Sequence, residues 1–108
     1  MIKVLFQIAQ QNPYGFTYDL KSLSHVKLGF VVAYNATQNC FGIEGLQTAV
    51  DHALNHNQII GGWFNSADNN YYFDSCRIFS NKLKAIEFGR AEKQYAIYDL
   101  YTGTEIIL

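Results

Sequence analysis

The chain has 108 residues, 49% of them apolar and 16% aromatic, which suffices for one domain with its own core and no covalent staples. A formal net charge of -1 excludes bulk-charge binding to a nucleic-acid backbone. Cys40 and Cys76 sit in no CxxC and complete no zinc spacing with His25, His52 or His56, so both are expected as small half-buried thiols in a reducing compartment.

Ile2, Val4, Phe6 and Ile8 alternate with Lys3, Leu5, Gln7 and Ala9, which predicts a strand with one buried face. Pro13 follows and cannot donate to a ladder. Glutamines interrupt this opening run, so it does not read as a signal peptide, and no stretch has the length of a membrane span. A cytoplasmic protein with no membrane partner is expected.

Tyr14 to Leu20 predicts a second strand, Lys21 to Lys27 a polar turn, and Gly29 to Asn35 a third strand rich in β-formers. Ala36 to Phe41 reads as a loop. From Ile43 to Asn57, Leu46, Ala49, Val50, Ala53 and Leu54 fall on one face of an amphipathic helix. Ile59 to Phe64 and Tyr71 to Phe79 flank the turn formers Asn65 to Asn70, which predicts a β-hairpin. Ser80 or Asn81 offers an N-cap for a second helix, Lys82 to Lys93, with Leu83, Ala85, Ile86 and Gly89 on its buried side. Tyr95 to Tyr101 predicts a strand, Thr102 to Thr104 a turn, and Glu105 to Leu108 an edge strand. The two helix–strand halves share a rough pattern but no residue-level repeat. The order predicts a single α+β domain over residues 1–108, a two-layer sandwich with a mainly antiparallel sheet and two helices on one face.

Catalytic chemistry has little purchase here. Gly61-Gly62 precedes a strand and lacks phosphate-loop spacing, and no other motif implies a cofactor. Ser75 beside Asp74 lacks a neighbouring histidine to make a triad. Asp74 and Asp99 each follow an aromatic in a strand, and pairing of those strands would bring two carboxylates together as an acid/base or ligand-binding pair. The expectation favours backbone-capping aspartates and no enzyme. His52 and His56 have the spacing of a two-histidine metal site, but no Glu lies between them and no third ligand is local. A solvated helix surface without metal is expected.

The surplus is aromatic. A sheet covered on one face leaves some tyrosines open, and open tyrosines suit a protein-binding surface or a base-stacking platform. Basic residues do not interleave with the aromatics, so protein is favoured over single-stranded nucleic acid. Candidate binding residues are Trp63, Tyr71, Tyr72, Asp74, Tyr98 and Asp99. A homodimer through the same aromatics or an edge strand is the other partner to consider.

Several short stretches carry a resemblance. These are Gly15-Phe16-Thr17-Tyr18-Asp19, Gly29-Phe30-Val31-Val32-Ala33, Gly62-Trp63 with Tyr72-Phe73-Asp74-Ser75, Ala85-Ile86 with Gly89-Arg90, and Gln94 with Ala96-Ile97-Tyr98-Asp99-Leu100. Together they resemble a small uncharacterised domain of phage and mobile-element proteins, found alone or inside large polyvalent phage proteins. The resemblance spans about Gly15 to Leu108. It implies a bacterial setting and a gene carried by a phage or other mobile element, and it brings no catalytic residues with it. Trp63, Tyr72, Asp74, Tyr98 and Asp99 stand at matching positions, whereas Lys21 to His25 departs from the family's basic or proline-rich turn. The expected function is a non-enzymatic module that binds a host or phage protein, with inhibition of a host defence system as the specific case.

Overall fold

The structure, a computed structural model, describes residues 1–108. It opens with a helix and not with the expected strand. Helix α1 (Ile2–Gln11) buries Leu5, Ile8 and Ala9, with Ile2 and Phe6 packed beside them, while Val4 stays exposed. Over so short a stretch the alternating pattern and the i, i+3, i+4 pattern share Ile2, Phe6 and Ile8. Leu5 and Ala9 distinguish them, because a strand would turn both away from Ile2 and Ile8, whereas a helix brings all four to one side. Asn12 Nδ2 donates to the Ile8 carbonyl at 2.8 Å and closes the last turn before Pro13.

Seven strands form one sheet: β1 (Phe16–Asp19), β2 (Ser24–His25), β3 (Phe30–Ala33), β4 (Ile59–Asn65), β5 (Asn70–Phe79), β6 (Ala96–Asp99) and β7 (Thr104–Ile107). Their order is β2-β1-β4-β5-β3-β6-β7, and every pairing is antiparallel. The segment expected as a polar turn, Lys21 to Lys27, thus contains the short strand β2. Helix α2 (Gly42–Leu54) buries Leu46, Ala49, Val50 and Ala53; Leu54, expected on the same face, is exposed where the helix ends. Helix α3 (Lys82–Ala91) starts at Asn81, whose Oδ1 accepts from the Lys84 amide at 3.0 Å. Ala85 and Gly89 face inward there, and Leu83 is exposed, because it stands two positions from Ala85 on the opposite side of the turn.

The chain is therefore α+β with three helices, one more than the sequence suggested. Register fixes which side of the sheet they meet. Gly62 pairs with Phe73 and Phe16, Ile60 with Tyr18, and Phe30 with Phe79 and Asp99. Alternation then puts Phe16, Tyr18, Ile60, Phe73, Phe30, Val32 and Ile97 on one side. The first four form a cluster with α1 and α2, and the last three form one with Ala85 of α3. A Cβ on Gly89 would come within 2.7 Å of Leu108 Cδ1 and 2.9 Å of Ile97 Cγ2, so this glycine sets how closely α3 lies on the sheet.

A residue-level repeat exists after all. Tyr18-Asp19-Leu20 recurs as Tyr98-Asp99-Leu100, followed by Ser22 and Ser24 in one copy and Thr102 and Thr104 in the other. The local structures match. Asp19 pairs with Ser24 and Asp99 with Thr104. Asp19 Oδ1 accepts from the Lys21 amide, and Asp99 Oδ1 from the Tyr101 amide, each at 2.8 Å. The two hydroxyls of each turn are bonded to each other. Leu23 and Gly103 occupy equivalent left-handed positions, with φ of 55° and 71°. These hairpins hang from opposite edges of the sheet, so equivalent residues face opposite sides. Tyr18 lies buried under the helices at 8% exposure, and Tyr98 stands on the open side at 40%.

Candidate functional site

The buried cluster on the second side of the sheet draws on no helix residue. Alternation places Trp63, Gly61 and Ile59 of β4, Tyr72, Asp74 and Cys76 of β5, Val31 and Ala33 of β3, and Tyr98 of β6 on that side. Val31, Ile59 and Cys76 are buried there, with Val26 and Leu100 packed against them. The remainder is a trough of about 840 Å³. Val26 and Lys27 line it on one side, Tyr98, Leu100 and Glu105 on the other, and Trp63 and Tyr72 at one end.

Asp74 lies on the floor. Its cross-strand neighbour is Gly61, and Thr17 pairs with Gly61 on the far side. Gly61 brings no side chain of its own to the floor beside the carboxyl, and a Cβ there would press on Cys76 Sγ at 3.0 Å. Burial alone raises the Asp74 carboxyl from its ordinary 3.8 to about 7, with no hydrogen-bond donor or positive charge counteracting it. Its negative charge in turn adds to the burial that raises the thiols of Cys40 and Cys76, Cys76 well above its usual value. Both cysteines are free, and a raised thiol is a poor nucleophile.

The rim is an aromatic ladder. Trp63 and Tyr72 are cross-strand partners whose rings stack 5.1 Å apart at 20°, and Tyr72 meets Phe41 at 5.4 Å. The Tyr72 hydroxyl donates to the carboxylate of Asp68 in the β4–β5 turn, which holds that carboxyl below its usual range and the phenol above its own. Trp63 is 46% exposed although its ring stacks on Tyr72.

Four of the six candidate binding residues, Trp63, Tyr72, Asp74 and Tyr98, line this one trough. Tyr71 and Asp99 do not. Tyr71 points to the helix side, where its hydroxyl donates to the Asn12 carbonyl at 2.7 Å and its ring stacks on Phe16. Burial pushes its phenol up to about 12. Asp99 belongs to the helix-side register and turns its carboxylate into the β6–β7 loop amides. The expected proximity of Asp74 and Asp99 is absent, because β3 lies between β5 and β6 and the two residues have opposite parity.

A second polar cluster lies on the helix side. His52 Nδ1 and Ser75 Oγ are 2.7 Å apart, which supplies Ser75 with the histidine that its sequence neighbourhood lacks. Ser75 is fully buried, and its amide donates to Thr37 Oγ1 at 3.0 Å, so no substrate reaches the hydroxyl. The rings of His52 and His56 stack face to face at 3.7 Å, and Tyr34 packs against both. His56 Nδ1 is engaged with the His52 carbonyl at 2.7 Å. Burial, and next the neighbouring His56, lowers the His52 pKa despite the opposing charge of Glu92. Parallel rings do not converge on one ion, and no group of three or more potential ligands is assembled anywhere in the chain. No helix is long and apolar enough to cross a membrane.

Sequence reasoning missed the depth of the Asp74 recess and the His52–Ser75 contact. Gly61 opposite an inward Asp was the available signal for the first. The second joins residues 23 positions apart and has no local signature. No protein-family model, curated protein or solved structure matches the chain.

Proposed function

We propose that the protein is a non-enzymatic interaction module that receives a polypeptide segment on the open face of its sheet. The observation that carries this reading is the trough itself. It is concave, bordered by exposed or half-exposed Trp63, Tyr72 and Tyr98, and backed by a layer of helices that leaves it uncovered. In this reading the molecule is a two-layer sandwich, with the helices stiffening the sheet from behind.

The setting that accompanies it is the cytoplasm of a bacterial host, with the gene carried by a phage or mobile element and the partner a host or phage protein. Inhibition of a host defence system is the specific case. The resemblance over Gly15 to Leu108 supports that setting.

The test is affinity capture from nuclease-treated bacterial lysate, with open-face and helix-face variants compared. Trp63→Ala and Tyr98→Ala are expected to lose a stoichiometric partner that Val4→Ala and Leu54→Ala retain; equal capture by all four contradicts the reading. Single-stranded nucleic acid is the alternative occupant of an aromatic sheet face. The acidic Asp74 and Glu105 in the same trough oppose a phosphate backbone there. Anisotropy titration of a labelled oligonucleotide at two salt concentrations separates the two, since backbone binding weakens steeply with salt.

A further inference from the structure

The floor of the trough is chemically unlike its rim. Asp74 is a carboxyl aimed into the cavity with no protein donor or cation to satisfy it, and burial is its one perturbing influence. The protein's other aspartates all have partners: Asp19 and Asp99 accept loop amides, Asp68 accepts from Tyr72, and Asp51 accepts from Gln47 on its own helix. The residue is half-buried and its unpartnered carboxylate keeps contact with the trough, so a cation arriving from outside can pair with a charge that is poorly hydrated there. Asp74 lines the trough, so such a group reaches the carboxylate from the open side, and Trp63 and Tyr72 stand next along the same two strands. Aromatic faces attract cations and also accommodate the methylene stem that carries one.

We infer that the recess over Asp74 is a cation pocket, which takes the ammonium or guanidinium group of a lysine or arginine side chain presented by a polypeptide lying in the trough. The inference rests on the proposed interaction function and names the chemistry its partner must bring. A free small cation would occupy a fraction of the 840 Å³, leaving Tyr98 and Leu100 uncovered. A segment of chain fills the rest and places its backbone over the apolar rim. The carboxylate then exchanges an unfavourable burial for a charge-assisted hydrogen bond.

The experiment titrates isotopically labelled protein with acetyl-Gly-Leu-Lys-Leu-Gly-amide, its arginine counterpart, its norleucine counterpart, and n-butylammonium chloride. The Trp63 indole N–H and the Gly61 amide are the reporters. The lysine and arginine peptides are expected to bind at least about tenfold more tightly than the norleucine peptide. Asp74→Asn should abolish that preference, and Asp74→Glu, which keeps the charge, should restore part of it. Equal binding of lysine and norleucine peptides overturns the inference, as does a preference that survives Asp74→Asn. Butylammonium binding as tightly as the lysine peptide overturns the polypeptide source and assigns the pocket to a free organic cation. An absence of any open-face shift with all four probes also overturns the cation pocket. That result leaves the interaction function to stand or fall on the capture experiment, where Trp63→Ala and Tyr98→Ala retain Asp74.

Discussion

Replacing Asp74 with asparagine removes one titration and nothing else of comparable size. In the folded protein burial raises this carboxyl from its ordinary 3.8 to about 7. A group whose folded value lies above its unfolded value contributes stability at low pH and loses it as pH rises through the folded value. Below about pH 4 both states hold the proton. Between there and about pH 7 the unfolded chain ionises and the folded one resists. The gap is roughly three pH units at about 1.4 kcal/mol each, so the wild type gives up about 4 kcal/mol relative to a non-titrating residue. Urea denaturation at steps from pH 4 to 8.5 measures this, read by the fluorescence of Trp63, the sole tryptophan. The buried asparagine amide carries its own pH-independent penalty, so the readout is the change in the difference between the two proteins. Asp74→Asn is expected to gain about 4 kcal/mol on the wild type across that range. A difference that stays flat with pH refutes the claim that this carboxyl is buried without a partner.

Three further outcomes test other parts of the account. Gly62→Ala places a Cβ 2.3 Å from Phe16 Cε1 and 2.8 Å from Tyr71 Cε1, two rings held by stacking, and should cost about 2 kcal/mol in denaturant melts. Leu23→Gly should stabilise by about 1 kcal/mol and Gly103→Leu should destabilise at least as much, since both sites need the left-handed backbone; equal and negligible effects would contradict the paired turns. Burial lowers the His52 pKa, so its neutral form contributes stability above pH 6.5 that is lost as pH falls through the depressed folded value; His52→Gln should remove that loss, and proton NMR of the ring checks the direction of the shift.

How far the sequence could be read depended on how local each signal was. The β4–β5 hairpin and the Asn81 cap were legible because turn formers and capping residues act within a few positions. The buried face of α2 was legible because five apolar side chains repeat over three turns, and the one that failed, Leu54, sits at the frayed end. Helix α1 was misread because its alternation is genuine, and the packing of Leu5 and Ala9 against α2 overrides it. Placement of Asp99 needed the strand order, which no local pattern reports. The repeat of Tyr-Asp-Leu was visible in the letters, but its two copies face opposite sides of the sheet, so it gave no common burial pattern to notice. Of the aromatic candidates, parity along a strand correctly separates Tyr71 from Tyr72; which parity is open follows from where the helices lie.

The central claim is that the open face of the sheet is the working surface. Hydroxyl-radical footprinting of the captured complex against the free protein tests it most directly. The account predicts that oxidation of Trp63, Tyr72 and Tyr98 falls on binding, while Val4, Leu54 and Leu83 on the helix side react as before. Protection of the helix-side residues with Trp63 and Tyr98 still freely oxidised would contradict it.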